Sequence, residues 1–122
     1  HIPIFCSDPT ENPGDVHPND SDPSKYSTDF ASWQRTCHDL WGPLLHKAGC
    51  NLVIAAHTHT YRFDEPAPDR CWAQMVGGGP NLGGGKSFPT VIEGKVVDRR
   101  LIVTAHNVAD GSVAGEYAFR PR

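Results

Sequence analysis

The run Asn51-Leu52-Val53-Ile54-Ala55-Ala56 ends abruptly in His57-Thr58-His59-Thr60-Tyr61. No other stretch limits the fold as tightly. Small and branched apolar side chains without alternation fit a strand buried on both faces, as in a parallel sheet covered by helices. Ligands of such sheets bind beyond the carboxyl ends of the strands, and the two imidazoles stand there. If the backbone is extended across 51–61, residues two apart point to the same side, so His57 and His59 reach into one site. Neutral imidazole is the commonest metal ligand. Two solvated loop histidines are the competing reading of the same three residues.

Composition bounds the alternatives. The 122 residues suffice for one small domain with a core. A net charge of −3 and a pI near 6.1 leave no basic footprint, which argues against a nucleic-acid surface. No apolar run approaches the ~20 residues of a membrane helix. Seven histidines mildly favour metal chemistry. Cys6, Cys37, Cys50 and Cys71 form no C-x-x-C, which excludes a zinc ribbon or a thioredoxin motif. Cys37 and Cys50 read as core thiols, and three disulfide pairings of the four cysteines stay open.

Along the chain, 6–24 is dense in Pro, Gly and acidic residues and reads as a long loop carrying His17. Helical periodicity covers 28–48, with Ser27 or Thr28 as N-cap and apolar residues from Phe30 to Leu45 near a 3.6 period. Gly42-Pro43 should kink or restart this helix, and Gly49 fits the position after its end. His38 and His46 read as solvated helix residues. Cys71–Val76 is a short strand candidate. The glycine-rich stretch 77–87 misses the phosphate-loop spacing and runs into Phe88-Pro89 rather than a helix. It reads as a mobile connection in preference to backbone packed against the site. Antiparallel strands are expected over 90–119, with Arg100–Ala105 and Val113–Phe119 as candidates joined around Asp110-Gly111. The fold class is therefore α/β to α+β, with one main helix plus mixed and antiparallel strands.

The chain opens His1-Ile2-Pro3-Ile4-Phe5, with neither an initiator Met nor a polar lead-in. This reads as the continuation of a strand upstream of His1, so a preceding portion is expected. A strand–helix–strand crossover then makes the two strands parallel and brings His1 and His57 to the same sheet edge. These features together resemble the C-terminal half of the calcineurin-like metallophosphoesterases, including purple-acid-phosphatase-like members. The matching elements are His1-Ile2-Pro3-Ile4-Phe5, the helix, the apolar strand ending in His57-Thr58-His59, the glycine-rich turn and the C-terminal strands.

The resemblance implies half of an αββα sandwich and two divalent or trivalent metal ions, iron, manganese or zinc. It implies His1 and His57 as ligands of one metal and His59 as a ligand of the other. His17 is the candidate acid or phosphate binder. The implied reaction is hydrolysis of a phosphoester substrate by metal-activated water. Two departures stand out: Ala56 replaces the family's glycine before the first histidine, and the family's D-x-H, G-D-x-x-D and G-N-H motifs do not occur. The chain holds about three of the roughly seven to eight ligands of a two-metal site. It is expected to be inactive alone, to need the N-terminal half of the domain, and to self-associate as a homo-oligomer through exposed edges. The location stays open, a secreted or periplasmic one included, with any targeting signal expected in the preceding portion. The alternatives are a non-catalytic metal-binding or interaction module and, on composition alone, a lectin-like β-domain. Substrate specificity in such folds lives in loops, so the kind of phosphoester stays open.

Overall fold

The computed structural model describes residues 3–4, 39–79 and 88–121. Residues 39–47 are helical and run through Gly42 and Pro43 without a restart. The helix end is built by local chemistry. Gly49 has φ 64, a conformation that glycine adopts without a Cβ penalty. Its N–H donates to the His46 carbonyl at 3.0 Å, and the Cys50 N–H reaches back to Leu45 at 2.9 Å. That pair of bonds is a Schellman cap.

Two three-stranded sheets follow. Sheet A comprises β1 (Leu52–Ala55), β2 (Arg62–Asp64) and β3 (Ala73–Val76), in the order β1-β3-β2. β1 and β3 run parallel, with Leu52 opposite Ala73 and Ala55 opposite Val76. β2 returns antiparallel to β3. Sheet B is an antiparallel meander of β4 (Thr90–Val97), β5 (Arg100–Asn107) and β6 (Val113–Phe119). With the helix, these sheets make an α+β fold.

The core lies where the sheets face one another. Met75 and Ala105 are fully buried and Val103 nearly so. Leu52 and Phe63 pack on this cluster from sheet A, and Ile92, Leu101, Tyr117 and Phe119 from sheet B. Phe63 stacks on Tyr117 with ring centroids 3.5 Å apart. Strand alternation explains the choice: Leu101, Val103 and Ala105 are two apart and share one pleat face. The opposite face of sheet B mixes exposed valines (Val91, Val97, Val113) with a polar cluster in which Glu93 is bonded to Lys95 at 3.1 Å and to His106 at 3.5 Å.

On the opposite face of sheet A, the cross-strand partners Asp64 and Gln74 are both buried. The Arg62 Nε donates to both Asp64 oxygens at 2.9 and 3.0 Å, and Gln74 Nε2 donates to Asp64 Oδ2 at 2.9 Å. The Ile4 N–H donates to Gln74 Oε1 at 2.8 Å, tying the start of the chain to β3. Every member has a partner, as burial of polar groups requires. Arg70 is also buried, and loss of hydration pulls its pKa below the ordinary value while Asp64 and Asp69 oppose the shift. Its Nη1 donates to the Trp72 carbonyl at 2.8 Å.

One connection differs from the sequence reading, and the antiparallel set expected over 90–119 includes a strand not delimited there. The strand expected over 51–61 stops at Ala55, and β2 begins after the intervening turn. Thr90–Val97 is a full strand joined to β5 by a two-residue turn, Asp98-Arg99. Both turn residues have positive φ, 48 and 62, the type I′ geometry that matches strand twist. Gly111, at the other hairpin, has φ 75 as its Asp110-Gly111 signal implies. Among the described residues no helix is long and apolar enough to cross a membrane.

Candidate functional site

Because β1 and β3 are parallel, their carboxyl ends lie at the same edge of sheet A. The histidine segment leaves β1 there. It is not extended, so the same-side argument from strand alternation fails. His57 has φ 74 and His59 has φ 56. The Thr58 N–H donates back to the Ala56 carbonyl at 2.9 Å, closing a three-residue turn centred on His57. A central φ near +75° is the rare, strained hand of such a turn. His59 lies in the left-handed region that non-glycine residues seldom enter. Each such conformation costs on the order of 1–3 kcal/mol and clusters at ligand sites. Ala56 has no positive φ, so its backbone makes no demand for glycine.

The turn is braced by the segment after β3. The Gly77 N–H donates to the Ala55 carbonyl at 2.9 Å, and the Gly79 N–H to the His59 carbonyl at 3.1 Å. A Cβ on Gly79 would lie 2.7 Å from both Cγ and Cδ2 of His59. The imidazole therefore rests directly on the Gly79 backbone, an approach only glycine permits. Gly78 is held in the same way. Its N–H donates to Thr90 Oγ1 at 2.7 Å, and a Cβ there would run into the Phe88 carbonyl oxygen. Residues 77–79 are thus held by close backbone contacts, Gly77 to Ala55, Gly78 to Phe88 and Thr90, and Gly79 to the histidine turn, correcting the reading of this part as a mobile connection. Residues 80–87 lie outside the described residues.

The aromatic wall beside the turn links it to sheet B. Tyr61 Oη lies 3.3 Å from Tyr117 Oη. Burial, then the bond to Tyr117, pushes the Tyr61 pKa well above its ordinary 10.0. Gly115 makes room for both hydroxyls, since a Cβ at that position would collide with Tyr61 Oη.

The structure thus brings His57 and His59 into one half-buried turn at the carboxyl edge of the parallel strand pair. His1 and His17 lie outside the described residues. His46 is exposed on the helix. Among the described residues, no group of three or more His, Cys, Asp or Glu side chains converges as a metal cluster. The pair can supply two imidazoles but not a closed four-ligand shell. Thr58 Oγ1 is buried in this turn without a hydrogen-bond partner among the described residues, a group that an ion or ordered water would satisfy. The glycine pair and the strained φ values were the parts of the site missed in sequence. Only the density of glycine after Val76 hinted at a close backbone approach.

No protein-family model matches the chain, and no curated protein sequence does. Two solved structures are similar, crystal structures of a single and a double mutant of Vps29 from Entamoeba histolytica. They share 16% and 17% identity with this chain, each with a TM-score of 0.44 over 70% of it. The chain spans about half of those structures, 47% of each. So distant a likeness assigns neither family nor activity.

Proposed function

We propose that the His57-Thr58-His59 turn is a metal-binding element and that the chain is the C-terminal part of a metallophosphoesterase-type domain. The observation that carries this is the turn itself. Two histidines hold strained backbone at the carboxyl edge of a parallel strand pair, braced by a glycine with no room for a side chain. Strain retained at two imidazoles has a ready physical reason if they serve a ligand. When bound, a transition metal would act as a Lewis acid on a phosphoryl oxygen and lower the pKa of water. The chain's own part is to fix two imidazoles. The His59 ring is set by contact with Gly79, and the His57 direction by the turn that Thr58 closes.

Phosphoester hydrolysis belongs, in this proposal, to a domain completed by upstream Asp and Asn ligands. The isolated chain is a binding module without turnover. Calorimetric titration of Zn²⁺ and Mn²⁺ into the chain tests the binding step. Saturable binding that falls about tenfold or more in His57→Ala and His59→Ala is the expected result, since each variant removes one ligand of few. Binding unchanged in both variants, or no saturable binding, overturns it. Turnover of p-nitrophenyl phosphate by the chain with Mn²⁺ should stay at background.

A further inference from the structure

At the other end of β1 from the histidine turn, a cleft of about 360 Å³ opens between the sheets. Its floor is apolar, formed by the half-buried Leu52, Leu101 and Phe119. Its rim carries three exposed arginines, Arg99, Arg100 and Arg120. The same three line an adjoining cleft of about 340 Å³ together with Asp98, the one acidic group there. They come from two places in the chain. Arg99 sits in the left-handed position of the β4–β5 turn, Arg100 begins β5, and Arg120 follows β6. Asn51 Nδ2 donates to the Arg120 carbonyl at 2.8 Å and holds that strand end against the start of β1. The ion pairs found among the described residues involve none of the three. A chain with net charge −3 thus gathers three guanidinium groups around one apolar depression.

We propose that this cleft docks an acidic peptide segment of a partner protein, with an apolar side chain entering the floor and flanking carboxylates meeting the arginines. Guanidinium pairs carboxylate through two parallel hydrogen bonds, which accounts for the rim. A free inorganic anion would have no use for the apolar floor, whereas a peptide side chain removes it from water. Arg99 stands at a type I′ turn position where glycine or asparagine is favoured, so the turn spends conformational ease on presenting a cation.

Fluorescence anisotropy with the full chain and three labelled short peptides tests this. One peptide alternates Glu and Leu, one Glu and Ser, one Lys and Leu. Saturable binding of the Glu–Leu peptide is expected, with the other two weaker by about tenfold or more. The affinity should fall with added salt. It should be lost in the Arg99→Glu/Arg120→Glu double variant and retained in Lys95→Glu, which changes a charge on the outer face of the same sheet. Circular dichroism establishes that both variants are folded, and Arg99→Gln with Arg120→Gln replaces the double variant if charge reversal unfolds it. Absence of saturable binding overturns the proposal. So do equal binding of the Glu–Ser peptide or of heparin, which marks a plain polyanion patch, and equal loss in Lys95→Glu.

Discussion

Gly79→Ala is the sharpest perturbation of the histidine turn, because nothing but contact distinguishes the two residues there. The new methyl carbon would sit 2.7 Å from Cγ and Cδ2 of His59 and 2.9 Å from its Cβ. Carbon atoms rest at about 3.5–4.0 Å, so ring or backbone must retreat by roughly 1 Å. The His59 side chain is no flexible tip. Its backbone already lies at φ 56, and its carbonyl is bonded to the very residue that changes. Overpacking of this kind costs about 1–3 kcal/mol. Gly111→Ala is the matching control, with φ 75 and nothing within 4 Å of the added atom. It loses about 1–2 kcal/mol from left-handed backbone alone and leaves the turn untouched. Urea unfolding of both variants gives the two free energies, and the proton–nitrogen correlation spectrum locates the disturbance. Gly79→Ala should shift the resonances of 57–61, and the proposed metal binding, which would tolerate only about 0.2 Å in ligand distance, should weaken with it. A Gly79→Ala protein within 0.5 kcal/mol of the parent, with those resonances unmoved, would refute the close approach.

Three further outcomes follow from the packing. Met75→Ala, at the fully buried centre between the sheets, should lower stability by about 2–5 kcal/mol in urea unfolding. Asp64→Ala removes the carboxylate to which the Arg62 Nε and Gln74 Nε2 both donate, where the Arg62 side chain is only 10% exposed, and should lower stability by about 3–5 kcal/mol, while Asp64→Asn recovers part of the loss. The raised Tyr61 pKa means that the folded state holds the phenolic proton more tightly than the unfolded one. Its contribution is therefore complete below pH 10.0 and is lost as pH rises above it. Stability measured between about pH 9 and 11 should fall less steeply in Tyr61→Phe than in the parent.

The parts of this fold that were legible in the sequence are those written in local chemistry. The apolar run marks β1, Gly49 marks the helix cap, and Asp110-Gly111 marks the second hairpin, because each uses a residue type that its backbone demands. The parts that were not legible depend on distant partners. β2 is three residues, Arg62-Phe63-Asp64, whose alternation makes sense only once Gln74 receives Asp64 and the core receives Phe63. The first hairpin turn, Asp98-Arg99, lacks glycine, so β4 carried no turn signal at its end. At the candidate site, the position of His57 and His59 after a parallel strand was readable, but the expected burial of that strand on both faces was not met. Among the described residues β1 is an edge strand, and only Ala55 of its four residues is buried while Ile54 is 55% exposed. The backbone of the two histidines was not readable, since a histidine at positive φ is a tertiary outcome that propensity does not foretell. Summed charge likewise concealed the arginine rim, because Arg120 meets Arg99 and Arg100 only through the β5–β6 pairing.

The contrast between the two sheets bears on the order in which the molecule assembles. Sheet B joins strands that are neighbours in sequence, with Val97 pairing to Arg100 across its turn. Such short loops close fast and nucleate cheaply. The parallel β1–β3 pair must instead bring Leu52 to Ala73 across all of β2 and its flanking turns. The meander is thus the natural folding nucleus, and sheet A condenses onto the face that Val103 and Ala105 present. The histidine turn is then the last element to be drawn into place, since it is braced from β1 and β3 at once. In amide exchange, β5 should be the slowest to open and the 57–61 segment among the first.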